Sequence, residues 1–197
     1  MTVAVPFMSL EEYFTYTEGP DTLYELDNGE LIAMPPESEL NRRIATFLLI
    51  YFAQHGILPQ RLTLKTEIAV SGRRATVRLP DLMVLSEELT AALAGATRST
   101  VTLDMPPPRL VVEVVSPGKT NRDRDYRYKR SQYEARGIAE YWIVDPMAQQ
   151  VTVLTLVNGL YETAVFEGEA EVVSTLLTEL APGQPLTAAQ VLSAGAG

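Results

Sequence analysis

Helical spacing, strand alternation and unbroken apolar runs of hydrophobic positions divide this chain into elements. The most informative stretch is residues 109–146. It opens with an apolar run at 110–115, broken by one carboxylate, Glu113, and turns at Ser116-Pro117-Gly118. A segment dense in charge and tyrosine follows, and then a second apolar run at 139–144 closed by Asp145-Pro146. Such an order predicts strand 109–115, helix 122–136 and strand 139–145, a right-handed βαβ crossover in a parallel or mixed sheet. Strands of that kind are buried on both faces and normally read as unbroken Val, Ile and Leu. A carboxylate inside one is costly unless it is paired, hydrogen-bonded or bound to a metal.

The rest of the chain is read in the same way. Ser9 and Glu12 form a capping box at the head of a short helix over 9–16. Residues 23–34 alternate around Asp27-Asn28-Gly29, a hairpin turn signal, with Glu25 and Glu30 flanking the turn at positions that ordinarily face solvent. Leu40, Ile44, Phe47, Leu48, Tyr51 and Phe52 recur at helical spacing, predicting a helix over 39–54 capped by Ser38. Two strands are expected at 62–70 and 75–85, a capped short helix at 86–94 and a surface loop over 95–108. A second hairpin is expected at 151–157 and 160–166 around Asn158-Gly159, with a short strand at 171–174 and a helix at 187–192. No repeat and no linker divides the chain, so one α/β domain with a mixed sheet is expected over 1–197.

Composition narrows the chemistry. The 197 residues are 46% hydrophobic and 21% charged, ordinary for a globular chain. The chain holds no cysteine and one histidine, His55. Thiolate zinc sites, cysteine nucleophiles and multi-histidine metal sites are therefore excluded, and His55 at a helix end reads as a dipole contact before a catalyst. The first ten residues lack a basic, apolar leader pattern, and no apolar run approaches the roughly 20 residues of a membrane span, so a cytoplasmic protein is expected. The net charge of −9 argues against a whole-surface polyanion binder. Residues 119–136, however, carry seven basic residues against three acidic ones, a local excess of +4. This is either a solvated helix face or a phosphate-facing patch.

Three features then converge. Asp81 heads one apolar run directly after Pro80, Glu113 lies inside the next long strand, and Lys129 lies on the helix after it. If the two strands are neighbours, their carboxylates meet at one sheet edge. Carboxylates held together repel unless a cation joins them. A hard divalent ion such as Mg2+ takes oxygen ligands, and Mn2+ can stand in its place. It lowers the pKa of a bound water and clamps a phosphoryl oxygen, while a nearby lysine neutralises charge developing on phosphorus. The simpler readings are a turn aspartate for Asp81, an exposed Asp125–Lys129 ion pair, and an edge-strand charge for Glu67.

On these residues the chain resembles the PD-(D/E)XK nuclease superfamily, and more specifically the bacterial Uma-type restriction-endonuclease family. The segments that carry the resemblance are Tyr24-Glu25-Leu26-Asp27-Asn28-Gly29-Glu30-Leu31, Pro80-Asp81, Val112-Glu113-Val114-Val115-Ser116-Pro117, Asp125-x-x-x-Lys129-x-x-x-Tyr133 and Gly137-Ile138-x-Glu140-Tyr141-Trp142-Ile143-Val144-Asp145. The resemblance implies a restriction-endonuclease-like core with hairpin additions at both ends. It implies a Mg2+-dependent endonuclease acting on DNA, often as a homodimer. Asp81 and Glu113 would hold the metal, Lys129 would assist the water, and Arg122, Arg124, Arg127 and Arg130 would meet phosphates. Asp125, Glu67, Glu25, Asn41 and Lys119 are weaker candidates. The chain departs from the superfamily pattern at Val115, where a lysine is expected. Lys129 is the replacement, with Lys119 as the fallback. It also departs at Leu40 and Asn41, where the family often has a histidine. A catalytically inactive module that binds nucleic acid or a protein partner is the alternative reading.

Overall fold

The computed structural model describes residues 7–16, 22–180 and 183–194. Ser9 and Glu12 close the expected capping box at the head of α1 (Leu10–Thr15). β1 (Tyr24–Asp27) and β2 (Glu30–Ala33) form the expected hairpin, with Asn28 and Gly29 at φ 51° and 86°. Both turn residues thus occupy the left-handed region that a tight hairpin turn demands. Ser38 caps α2 (Glu39–Gln54), whose inner face buries Asn41, Ile44, Ala45, Leu48 and Phe52.

The strands expected at 62–70 and 75–85 are each broken in two. β3 (Leu62–Thr63) and β6 (Leu82–Val84) pair in one sheet, while β4 (Glu67–Ala69) and β5 (Val77–Arg78) pair in another. The breaks have local causes. Lys65 adopts φ 51°, which turns the chain between β3 and β4, and Pro80, with no N–H to give a ladder, separates β5 from β6. Beyond the capped α3 (Glu87–Leu93), the segment expected to be a surface loop contributes β7 (Thr100–Val101), buried and parallel to β4. The alternation there is too short to register in sequence.

β8 (Leu110–Val114) and β9 (Glu140–Asp145) are parallel, as a βαβ crossover requires. The crossover helix begins at Lys119 rather than 122. It runs as α4 (Lys119–Asp123), a π turn over Arg124–Lys129 and α5 (Arg130–Arg136), and stops at Gly137 with φ 76°. β10 (Gln150–Val157) and β11 (Leu160–Glu167) form the second hairpin. Glu171 makes only an isolated bridge to Thr187 in place of the strand expected there. The chain then enters α6 (Thr175–Leu180), which has no strong periodic signal, and α7 (Ala188–Leu192).

Among the described residues there are thus two mixed sheets, ordered β2-β1-β5-β4-β7 and β11-β10-β9-β8-β6-β3. The second is covered on both faces. Leu110, Val112, Val114, Trp142 and Val144 pack with Ile44, Leu48, Phe52, Leu176 and Val191 of α2, α6 and α7. On the other face, Val111, Val115, Tyr141 and Ile143 pack with Tyr133 of α5 and with Ile68 and Val101 of the smaller sheet. Glu113, between Val111 and Val115, shares this second face. Among the described residues no helix is long and apolar enough to cross a membrane.

Candidate active site

β6 runs antiparallel to β8 with Leu82 opposite Val112 and Met83 opposite Val111. Continuing that register by one residue sets Asp81 opposite Glu113, so the break at Pro80 brings the two carboxylates to one sheet edge. The Val114 N–H donates to Oδ2 of Asp81 at 2.5 Å. Lys129 Nζ lies 2.8 Å from Glu113 Oε2, and the Tyr133 hydroxyl donates to Glu113 Oε1 at 2.7 Å. The crossover helix therefore supplies both partners of the acid buried in β8. Asp125 Oδ1 is 3.4 Å from Lys129 Nζ, and Glu25 Oε1, arriving from β1, is also 3.4 Å away. Glu25 is wholly buried, where the turn pattern placed it in solvent. Its Oε2 is 3.0 Å from Arg78 Nη1 of β5, itself fully buried and bonded to Asp27 and Gln132.

Asp81, Glu113, Asp125 and Lys129, together with Lys65 and Arg124, line a cleft of about 410 Å3. Burial pushes the Glu113 carboxyl up to about 7; Lys129 opposes that, and the neighbouring Asp81, Asp125 and Glu25 reinforce it. Burial likewise raises Asp125 against the pull of Lys129. Burial alone would raise Glu25 too, but Lys129 and Arg78 together hold it at about 2. Burial disfavours charge on Lys129, yet Glu113, Glu25 and Asp125 outweigh burial and keep its ammonium protonated well above neutrality. At Glu113, burial and the three neighbouring acids outweigh Lys129 and leave the carboxyl with an affinity for a proton.

A family model described as Uma2, putative restriction endonuclease, matches residues 10–189. The chain belongs to the Uma2 family. Among solved structures, this Uma2 chain is similar to the crystal structure of a putative nuclease belonging to DUF820 from Anabaena variabilis. The two are 19% identical, with a TM-score of 0.70 over 95% of this chain and 98% of the other, and share the restriction-endonuclease-like fold. No curated protein matches the chain.

Not every candidate residue of the Uma2 chain reaches the cleft. Glu67 turns away and binds Arg98 and Thr100, with the Tyr13 hydroxyl donating to it at 3.1 Å. Lys119 is exposed at the start of α4 and does not line the cleft. Asn41 does line it, and donates to the Val114 carbonyl at 3.2 Å and to Ser116 Oγ at 3.3 Å, fixing the strand end that carries Glu113. Of the four arginines, Arg124 lines the cleft and Arg122 and Arg127 are exposed. Arg130 instead donates to the Tyr161 carbonyl of β11 at 3.2 Å. His55 caps α2, stacks on Tyr51 and lies between Tyr51 and Gln184, outside the cleft.

Lys65 is the residue the sequence did not single out. Its ammonium pairs with Asp81 Oδ1 and lies 3.3 Å from Glu37 Oε1. Its only sequence signal is a lone lysine in an apolar stretch, and the left-handed backbone that aims it is invisible in sequence.

The donor set fits a hard divalent cation. Asp81 and Glu113 offer carboxylate oxygens, and Mg2+ takes one or two of these and keeps several waters. The buried Asp125 Oδ1 has no hydrogen-bond partner. Among the described residues no group of three or more His, Cys, Asp or Glu side chains is disposed around a metal position. A cation here would rest on the two carboxylates and water.

Proposed function

We propose that this chain is a divalent-metal-dependent endonuclease that hydrolyses phosphodiester bonds in DNA, with Asp81, Glu113 and Lys129 as its central residues. One observation carries the reading: two carboxylates from antiparallel strands and the ammonium of Lys129 converge on a single cleft. Asp81 and Glu113 would hold Mg2+, or Mn2+, which when bound supplies Lewis-acid polarisation of a phosphoryl oxygen. Lys129 keeps the Glu113 carboxylate oriented and stabilises negative charge in a site where desolvation strengthens electrostatics. Tyr133 fixes the other Glu113 oxygen. Asp125 and Glu25 hold the ammonium in place from two sides. Arg124 in the cleft wall and the exposed Arg122 and Arg127 present positive charge to a nucleic-acid backbone. One domain over 1–197, a cytoplasmic location and a homodimer, in which two clefts meet two strands, belong with this reading.

The test is cleavage of plasmid DNA by pure protein with Mg2+ and with a chelator. Wild type is expected to cut only with the metal. Glu113→Gln, which keeps the shape and the Tyr133 contact, is expected to lower the rate by about a hundredfold or more. Unchanged cutting by Glu113→Gln would defeat the assignment.

A second reading is a catalytically inactive module that retains the fold and binds nucleic acid or a protein partner. It is favoured by Lys129 being 1% exposed and already shared among three carboxylates. Duplex binding without cleavage under any divalent ion would select it.

A further inference from the structure

Two lysines face the paired carboxylates, and their surroundings divide the work between them. Lys129 is sealed at the back of the cleft with three acidic partners. It is 1% exposed, and its ammonium is already committed to those partners. Lys65 approaches from the open side. Its side chain is 28% exposed, it lines the cleft, and its partners are Asp81 and the half-exposed Glu37. The backbone beneath it is held in a conformation that L side chains rarely adopt, φ 51°. The Lys65 N–H donates to the Pro80 carbonyl at 3.1 Å, directly beside Asp81. A glycine would meet the demands of this turn without strain. A lysine held there instead, with its ammonium in the cleft wall against Asp81 and Glu37, points to use of the side chain.

We propose that Lys65 is the phosphate-contacting cation of this cleft, donating to a non-bridging oxygen of the bound nucleic-acid backbone, and that Lys129 acts behind it as a positioning residue. The inference rests on the nucleic-acid reading above. It accounts for the departure at Val115 with a lysine from the loop between β3 and β4, reaching the carboxylates from the solvent side. An ammonium that pairs with Asp81 and Glu37 before substrate arrives can exchange the Glu37 contact for a phosphate oxygen at little cost in geometry, since its stem is long and flexible.

The experiment measures binding of a short labelled DNA duplex by fluorescence anisotropy across a salt series in chelator, with plasmid cleavage in Mg2+ alongside. Lys65→Met is expected to weaken duplex binding about tenfold and to lower the salt slope by about one. Lys65→Arg is expected to keep most of the affinity. Arg73→Met, which removes an exposed charge outside the cleft, is expected to change neither the salt slope nor the cleavage rate by as much. Lys65→Met is also expected to cost affinity when Asp81 is replaced by asparagine, which separates a phosphate contact from simple neutralisation of Asp81. Lys65→Gly, which removes the charge and relieves the backbone, serves if the methionine variant does not fold. Binding by Lys65→Met within about twofold of wild type overturns the inference, whatever the plasmid shows. A wild type that binds duplex but does not cut removes the nuclease reading and leaves Lys65 to the binding result. A wild type that binds no duplex at low salt overturns both.

Discussion

Glu113 is the residue at which stability and chemistry compete. Its carboxyl titrates near 7 in the fold and has an ordinary value of 4.5, so between those values the folded chain holds a proton that the unfolded chain has released. That contribution to stability is fully present below about 4.5 and is lost as pH rises through about 7. Glu25 has the opposite sign. Held at about 2, it contributes stability above its ordinary value of 4.5 and loses it as pH falls toward 2. Chelator-treated protein is therefore expected to melt at progressively lower temperature as pH rises from about 5 to about 8. Glu113→Gln, which cannot ionise, is expected to flatten that slope and to raise the melting temperature at the alkaline end. A flat wild-type profile, or an unchanged slope in the variant, would show that another group sets it. The neighbouring Asn41 belongs to the same scale. Its hydrogen bond to the Val114 carbonyl gives it a role in holding the strand end.

At the scale of elements, the cleft depends on three pieces being held against one another: the β1–β2 hairpin, β5, and the crossover helix. Arg78 joins them. It is fully buried, with Glu25 and Asp27 of β1 on one side and Gln132 of α5 on the other. Arginine suits the position because its planar fork serves several acceptors at once. Arg78→Met would leave Glu25 buried with Lys129 as its remaining cation. Removing one partner of a buried pair typically costs about 3–5 kcal/mol. Urea denaturation is expected to show a loss of that size, partly restored by adding Glu25→Gln. A loss below about 1 kcal/mol would mean that the hairpin is held by its apolar contacts with Tyr13 and Val77 instead. The π turn over Arg124–Lys129 also belongs to this scale. Such turns are often found at functional sites, and this one directs both Asp125 and Lys129 inward, toward Glu113.

Over the whole molecule, the charge of −9 and the basic crossover segment pull in opposite directions. Part of the local excess is used internally: Lys129 is buried, Arg130 binds the Tyr161 carbonyl and Arg136 binds the Thr102 and Met105 carbonyls. Lys119, Arg122 and Arg127 are exposed, Arg122 lying 3.6 Å from Asp145 Oδ2, and Arg124 stands in the cleft wall. Under the proposed nucleic-acid reading, this basic segment would hold the backbone while the acidic remainder of the chain repels it. Cutting both strands of a duplex from such a chain calls for two clefts. Light scattering is expected to give the mass of two 21.7 kDa chains at micromolar concentration. A monomer that linearises plasmid without passing through a nicked form would contradict that arrangement.

The sequence by itself determined the capped helices, the two hairpins and the central crossover, and it singled out the two acids. Helix caps, hairpin turns and apolar runs are local signals, read within a few residues, and an acid in a doubly buried strand is conspicuous wherever it falls. Only the tertiary structure decided what surrounds those acids. Glu25 looked like a solvent position because alternation cannot reveal that Arg78 of β5 and Lys129 of the crossover helix meet it, and Glu67, a weaker candidate in sequence, is paired with Arg98 instead. Lys65 gave no signal beyond being a lone lysine in a strand-like run. Its place at the cleft depends on a left-handed turn, on Pro80 splitting a strand between two sheets, and on residues far apart in the chain meeting in space, none of which leaves a local pattern to read.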